Sequence, residues 1–277
     1  MAKNKNNKSN KKNEKGNAEK YLDRIEGRNP ISEALRSGRS INKVWIVKTD
    51  QRRDQRLHEI ISECKEQGAI IVEVEKNVFA GMAETPGHQG IIAQVSPKDY
   101  ADPFELIEKL TAEGKQPFIL ILDNLQDGYN FGSILRISEA AGVDLIVIPE
   151  RRSVSADAHV AKASAGAIEF VPIARVTNLA TFIDKIKERN FWIYGTEVND
   201  AENYQKVDYN GSIALIIGNE AKGMSENIKK RCDFLVNIPM YGRINSLNAA
   251  VAAGIIVFQA VEQRRHQFTT DQVITDL

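Results

Sequence analysis

Five apolar runs in the second half of the chain constrain its fold more than any other feature. Each run is nearly continuous in Ile, Leu, Val and aromatic residues, and segments of helical character separate the runs. The runs are 118–122, 145–148, 191–194, 213–217 and 234–238. Apolar strands without polar alternation, separated by helices, are typical of a parallel sheet that helices cover on both faces. The sequence therefore predicts an α/β fold built on a parallel sheet.

Polar and glycine-rich segments follow four of these strands, at 123–132, 195–200, 218–223 and 239–248. In open α/β sheets, ligands bind beyond the carboxyl ends of the strands. We therefore expect the four segments to form one site. Its side chains are mostly hydrogen-bonding groups, which favours positioning of a polar, partly anionic substrate over metal-assisted hydrolysis. They are chiefly Asn130, Arg136, Asn219, Glu220, Arg243, Asn245, Ser246 and Asn248.

The last polar segment leads into a helix predicted from about Leu247. Asn245 or Ser246 is the expected N-cap, because a short polar side chain accepts hydrogen bonds from the first turn. Residues 249–258 carry no charge, which predicts a helix buried on most sides. Its first two turns are mostly Ala and Gly, so another backbone can approach closely. Taken alone, a core helix behind an ordinary turn explains this segment equally well.

The N-terminal half has a different organisation. Residues 1–20 are a Lys/Asn-rich basic arm, predicted to be disordered, that suits either RNA backbone or a solubilising role. Residues 21–96 form a small α/β domain, 97–116 a charged linker and 117–277 the parallel-sheet domain. Arg28, Arg39 and Gln89 lie in or near polar loops of the small domain and are candidate RNA contacts. Turn chemistry explains the loop glycines equally well.

Composition excludes several classes of function. The formal net charge is zero, so RNA contacts must come from local patches. The two cysteines are isolated and the four histidines are scattered, which indicates neither a metal site nor a disulfide framework. The usual glycine-rich nucleotide signatures are missing. The longest uncharged run is too short for a membrane span, and the N-terminus does not resemble a signal peptide. We therefore expect a reduced, cytoplasmic protein with no membrane partner.

Three long motifs, in order, point to a family. Residues 123–136, 214–225 and 238–250 resemble the three motifs of the TrmH-type (SpoU) RNA 2′-O-ribose methyltransferases of the SPOUT superfamily, and 163–167 is similar to a segment between the first two. The N-terminal unit resembles the L30e-like substrate-binding domain of that family. With this fusion, the chain most resembles the bacterial 23S rRNA guanosine 2′-O-methyltransferase type. It departs from the family at Gly128, usually Pro, and at the bulkier Tyr129 and Phe131.

The resemblance implies a parallel sheet ending in a C-terminal deep trefoil knot. It implies S-adenosyl-L-methionine as methyl donor, RNA as substrate (with a guanosine of 23S rRNA as the expected target, in rRNA processing) and a homodimer through the knotted domain. The last helix and residues 261–268 would form that interface. By resemblance, the donor meets the ends of four strand and loop segments, at Gly195, Thr196, Ile217, Gly218, Ile238 and Leu247.

The resemblance also implies catalytic roles. Arg136 would be central, and because a guanidinium stays protonated we expect it to clamp the target phosphate and stabilise developing alkoxide charge. Asn130 and Ser246 would orient the ribose and Arg136. Glu220 would hold Arg136 or accept the proton, and Asn248 would brace the knot loop.

Structural roles stay open for the same residues. Asn130 could cap the helix that starts at Phe131, and Glu220 could complement a helix dipole. Arg136 could form a surface ion pair. Lys222 and Arg243 suit RNA phosphate or simple solvation equally.

Three other functions compete with rRNA methylation. A tRNA ribose methyltransferase would usually lack the separate N-terminal domain. A non-catalytic RNA-binding assembly factor would not need the polar motif residues. A resistance-type methyltransferase would act on a different rRNA nucleotide.

Overall fold

The computed structural model describes residues 24–48, 54–150, 158–219, 223–244 and 246–275. The predicted basic arm 1–20, the site residues Glu220 and Lys222, and the candidate cap Asn245 lie outside this described part. The described residues form two compact units. The first unit comprises residues up to 98 together with 156–169, and the second comprises 99–155 together with 170–277.

The strands in chain order are β1 Arg24–Glu26, β2 Ile41–Val47, β3 Ile70–Val74, β4 Ile91–Val95, β5 Phe118–Leu122, β6 Leu145–Pro149, β7 Ile173–Val176, β8 Trp192–Thr196, β9 Glu202–Asn203, β10 Ile213–Ile217 and β11 Phe234–Asn237. The α-helices are α1 Arg28–Arg36, α2 Gln55–Glu66, α3 Lys76–Met82, α4 Pro103–Ala112, α5 Gly128–Ala141, α6 Ala158–Ala163, α7 Leu179–Lys187, α8 Glu226–Lys229 and α9 Ala249–Thr275. None of these helices, as far as the chain is described, is long and apolar enough to cross a membrane.

The first unit is built on a four-stranded mixed sheet in the order β1-β4-β2-β3. β2 and β3 run parallel, whereas β4 is antiparallel to both β1 and β2. Helix α2 shows how the sequence specifies this unit. Asp54 caps it by accepting from the Leu57 N–H at 3.1 Å, and Leu57, Ile60, Ile61 and Cys64 form its buried face at helical spacing.

Residues 156–169 belong to the first unit, although they follow β6 of the other sheet in the chain. Arg39 Nη1 pairs with Glu169 Oε1 at 2.8 Å, with side chains only 11% and 3% exposed. Lys98 Nζ donates to the Glu169 carbonyl at 3.1 Å. Gly166 has a φ of +92°, and an added Cβ there would overlap the Glu33 side chain. The predicted parallel-sheet domain, 117–277, includes this segment, and its contacts with residues of the first unit are the reason for the difference.

The second unit contains a seven-stranded, all-parallel sheet in the order β7-β6-β5-β10-β8-β11-β9. The predicted parallel α/β sheet is confirmed, and all residues of β5 and β10 are buried. Strands β7 and β9 were not predicted. The predicted linker 97–116 contains α4, whose Ile107 is 2% exposed within the core of this unit.

The strand order positions a site. β10 lies between β5 and β8, and β11 pairs with the other side of β8. The segments that leave β8, β10 and β11 therefore emerge side by side at the carboxyl edge of the sheet, where α/β proteins bind their ligands.

Candidate active site

A cavity of about 630 Å³ lies at the carboxyl ends of β8, β10 and β11. Five of the six residues predicted to contact a methyl donor line it: Thr196, Ile217, Gly218, Ile238 and Leu247. Ser246, predicted to orient a ribose, and Asn219 also line it. Loops that are far apart in sequence thus meet around one space, as expected for the ends of parallel strands.

Gly195, the sixth predicted residue, is not among the residues that line the cavity. It is buried in β8, and an added Cβ would lie 2.6 Å from both Cys232 Sγ and Met224 Cε. Glycine is therefore needed here for packing.

Burial raises the pKa of the Cys232 thiol to about 12 and that of Cys64 to about 11. Because the thiolate is the nucleophilic form, neither cysteine suits nucleophilic chemistry near neutral pH.

The segments after β5 and β10 brace each other. Asp123 is 4% exposed, and its Oδ2 accepts from the Ser225 N–H at 2.9 Å. Asn219 Nδ2 donates to the Asn124 carbonyl at 3.1 Å. These bonds fix the first motif against the second. Asp123 is not among the predicted site residues, although its position directly after a fully apolar strand was a signal that could have identified it.

Helix α5 carries the first motif, and its N-cap is Asp127. The Asp127 carboxylate accepts from the Tyr129 N–H at 2.6 Å and from the Asn130 N–H at 3.3 Å. Asn130 is therefore inside the first turn and does not cap the helix, which corrects that alternative and moves the predicted start at Phe131 to Gly128. The Asn130 side chain instead contacts the third motif.

This contact with the third motif is a side-chain hydrogen bond. Asn248 Nδ2 donates to Asn130 Oδ1 at 2.8 Å. Asn248 Oδ1 accepts from the Ala250 and Val251 N–H groups at 3.0 and 3.3 Å, so Asn248 is the N-cap of α9. This corrects the prediction that Asn245 or Ser246 caps a helix from Leu247. One side chain both starts the last helix and joins it to the first motif.

We expect Asn248→Ala to lower the free energy of unfolding by about 1–2 kcal/mol, since it removes a cap and a side-chain hydrogen bond. Asn248→Asp keeps the capping acceptor, and a carboxylate is favourable at a helix N-terminus. It loses the hydrogen bond to Asn130 but keeps the cap, so its loss of stability should be smaller than that of Asn248→Ala. Urea unfolding followed by circular dichroism measures both variants. An equal loss in the two variants would contradict the capping role.

Arg136 extends from α5 as an exposed side chain. In the described part of the chain its guanidinium makes no ion pair or hydrogen bond. The residues beside it on the helix, Ile134, Leu135 and Ser138, are buried. The helix is thus anchored in the core while its charge is presented to solvent.

The predicted RNA contacts differ in what they face. Arg28 and Gln89 lie together, because the Arg28 N–H donates to Gln89 Oε1 at 3.0 Å, and the Arg28 guanidinium pairs with Asp54 at 2.6 Å. Arg243 is exposed. The structure corrects the prediction for Arg39, whose guanidinium is buried against Glu169 and donates to the Ser96 carbonyl, so its role is structural.

Comparison with known families identifies two matching segments. Residues 117–258 match the model of the SpoU rRNA Methylase family. Residues 24–101 match the model described as RNA 2′-O ribose methyltransferase substrate binding. The chain is 43% identical over 243 residues to a putative TrmH family tRNA/rRNA methyltransferase of Staphylococcus haemolyticus, covering 88% of this chain and 96% of the relative. It is 41% identical over 242 residues to the corresponding YacO protein of Bacillus subtilis, covering 87% and 96%.

Solved structures share the fold. The SpoU methyltransferase AviRb of Streptomyces viridochromogenes, in complex with AdoMet, superposes with a TM-score of 0.73 at 23% identity, covering 88% of this chain and 90% of that one. The TrmH/SpoU tRNA modifying enzyme of A. aeolicus is 30% identical with a TM-score of 0.51, and covers 59% of this chain and 86% of its own.

Proposed function

Because the chain belongs to the SpoU rRNA Methylase family, we propose that it transfers a methyl group from S-adenosyl-L-methionine to a ribose 2′-hydroxyl of RNA, with a guanosine of 23S rRNA as the target. The match confirms the family resemblance of the three motifs. The observation that carries the proposal is the cavity at the strand ends, because the second and third motifs line it and the first is hydrogen-bonded to the third.

The cavity fits the donor in size and chemistry. Its volume of about 630 Å³ lies within the range typical of small-molecule sites. Ile217, Ile238 and Leu247 offer apolar contacts, and the strand-end backbone offers N–H and C=O groups for an adenine edge. When bound, S-adenosyl-L-methionine supplies a methyl group attached to a positively charged sulfur. Residues of the chain must then bring the hydroxyl into line with it.

We assign the acceptor side of the reaction to Arg136, Asn130 and Ser246. A ribose hydroxyl is a weak nucleophile at neutral pH, so alignment and stabilisation of developing negative charge matter most. Arg136 offers an exposed guanidinium with no partner among the described residues, which suits a phosphate and a developing alkoxide. Asn130 is 7% exposed and fixed by Asn248, so it can orient a polar group with little loss of side-chain entropy. Glu220 stays the proposed partner of Arg136 or acceptor of the proton.

The choice of rRNA over tRNA rests on the first unit. Residues 24–101 match a substrate-binding model, whereas the tRNA modifying enzyme of A. aeolicus covers only 59% of this chain. The relatives from Staphylococcus haemolyticus and Bacillus subtilis carry names that include both tRNA and rRNA. The transfer experiment below therefore offers both kinds of RNA as substrate.

We also propose that the chain is knotted and forms homodimers through the second unit. Helix α9 was expected to be buried on most sides, but Val251 and Phe258 are 50% and 49% exposed. Their spacing of seven residues places both on one side of the helix, with partly buried Ile255 between them. A second copy would cover this apolar stripe. Light scattering at micromolar concentration tests the dimer, and a monomer would contradict it.

The decisive experiment incubates the protein with labelled S-adenosyl-L-methionine and either 23S rRNA or tRNA transcripts, and then maps the modified ribose. We expect label on one guanosine of 23S rRNA and none on tRNA. Label on tRNA instead would show that tRNA is the substrate, while the proposed methyl transfer to a ribose would still hold. Donor binding without transfer to any RNA would support a binding factor and overturn the enzyme assignment.

A further inference from the structure

We propose that Lys162 is an RNA phosphate contact of the first unit and that Gly87 is glycine in order to hold it in place. The inference rests on the proposed RNA substrate, and it adds a residue that the loop composition did not suggest. Lys162 lies on α6, in the segment 156–169 that belongs to the first unit in space.

Gly87 leaves the space that the lysine occupies. A Cβ added at Gly87 would lie 2.6 Å from Lys162 Cε and closer still to Nζ. The backbone of Gly87 is not in the left-handed region, so its conformation does not require glycine. The nearby Gly27 and Gly90 differ, with φ of +96° and +78°. Glycine at position 87 is therefore explained by the space that the Lys162 side chain occupies and not by backbone conformation.

The helix that carries Lys162 is firmly anchored. Val160, Ala161 and Ser164 are 0%, 2% and 1% exposed. Just beyond the helix, Glu169 pairs with Arg39 at 2.8 Å. The aliphatic stem of Lys162 thus starts from a fixed backbone and ends over the loop that contains Gly87.

The Lys162 ammonium has no hydrogen bond or ion pair in the described part of the chain. It is partly buried, and a partly desolvated charge gains from an anionic partner. Lys48, another lysine of the same unit, differs because its ammonium pairs with the Glu75 carboxylate at 2.9 Å. Lys162 is therefore positioned for an anion that the described residues of the unit do not supply.

The surroundings favour RNA as the source of that anion. A Cβ at Gly27 would lie 3.3 Å from the Gly87 carbonyl, and the Arg28 N–H donates to Gln89 Oε1, so two polar loops meet beside Lys162. Arg56 donates to Asn29 in the first turn of α1, next to Gly27. Exposed amides and cations around an ammonium with no partner among the described residues suit a nucleic-acid backbone, to which basic side chains contribute most of the binding.

The test measures binding of a 23S rRNA transcript by the full-length protein at several salt concentrations from about 50 to 200 mM. A lost phosphate contact lowers the salt slope by about 0.7–0.9, so the affinity lost over this range should be roughly threefold smaller for Lys162→Ala than for wild type. Gly87→Ala should give the same change, because the flexible end of Lys162 moves aside without harm to folding. The double variant should show no additional change.

Two matched controls separate this from a general loss of structure. Gly81→Ala adds a methyl group where nothing lies within 4 Å, and Lys48→Ala removes a lysine that is already paired. Neither should change the salt slope. Unfolding temperatures of all variants should stay close to wild type.

A wild-type salt slope in Lys162→Ala would overturn the inference, as would a Gly87→Ala variant that binds RNA normally. Methyl transfer by the wild-type protein, measured in parallel, distinguishes the two proposals. Transfer with a normal slope in the variants overturns only the role of Lys162, whereas no RNA binding by the wild type overturns both.

Discussion

Arg136→Ala should lower methyl transfer to RNA by about 10²–10³-fold, the loss typical when one group that stabilises developing charge is removed. The reason lies in how α5 presents this residue. Its neighbours Ile134 and Leu135 are buried and hold the helix, whereas the guanidinium is exposed and unpaired within the described residues. Removing it should therefore leave the fold and the donor cavity intact.

Three measurements separate this role from others. Binding of S-adenosyl-L-methionine, followed by calorimetry, should be unchanged in Arg136→Ala, because Arg136 is not among the residues that line the cavity. Arg136→Lys keeps the positive charge but loses the planar guanidinium with its paired N–H donors. Its activity should therefore lie between that of the wild type and that of Arg136→Ala. Arg189→Ala serves as control, since Arg189 is an arginine of the same unit that pairs with Glu108 at 3.4 Å.

Two results would change the assignment. Lost donor binding in Arg136→Ala would place the residue on the donor side of the reaction. Full activity in Arg136→Ala would make it an ordinary surface residue, and the charge-stabilising group would have to be sought elsewhere, first at the exposed Arg243.

The buried strands of the second unit could be predicted because their signal is local. Strands β5 and β10 are apolar at every position, which is typical of strands in a sheet covered on both faces. Strand β7 carries no such signal, because Arg175 interrupts its four residues. In the structure the Arg175 guanidinium lies 4.1 Å from the centre of the Tyr100 ring, a partner 75 positions away along the printed chain. Strand β9 consists of Glu202 and Asn203 only and exists through its pairing with β11.

In the candidate site, too, features with a local sequence signal could be predicted, whereas features that depend on distant contacts could not. The residues that line the cavity could be predicted, because they follow apolar strands that end at one edge. Which of several polar residues caps α9 could not, since Asn245, Ser246 and Asn248 are equally suitable as residue types. The choice depends on where the chain turns, and Asn248 is also held by Asn130, 118 positions earlier. The burial of Arg39 likewise depends on Glu169, 130 positions later.

Gly218→Ala should weaken donor binding and destabilise the second unit. A Cβ at this position would lie 2.5 Å from the Met224 nitrogen and 2.6 Å from the Gly223 carbonyl carbon. Both are backbone atoms, so no change of rotamer relieves the contact. The end of β10 and the segment around Gly223 would have to separate, although Asn219 and Gly223 are joined by backbone hydrogen bonds of 3.1 and 2.7 Å.

The expected cost is about 1–3 kcal/mol of unfolding free energy, as for overpacking of a well-packed site. Because Ile217 and Gly218 line the cavity, the same displacement should weaken donor binding by roughly tenfold or more, where tenfold corresponds to 1.4 kcal/mol. Gly242→Ala is the matched control, since an added Cβ there meets nothing within 4 Å and its φ does not favour glycine. Urea unfolding and calorimetric titration with S-adenosyl-L-methionine measure both effects. Wild-type stability and affinity in Gly218→Ala would mean that the loop after β10 adapts freely, and that the cavity is not preformed for the donor.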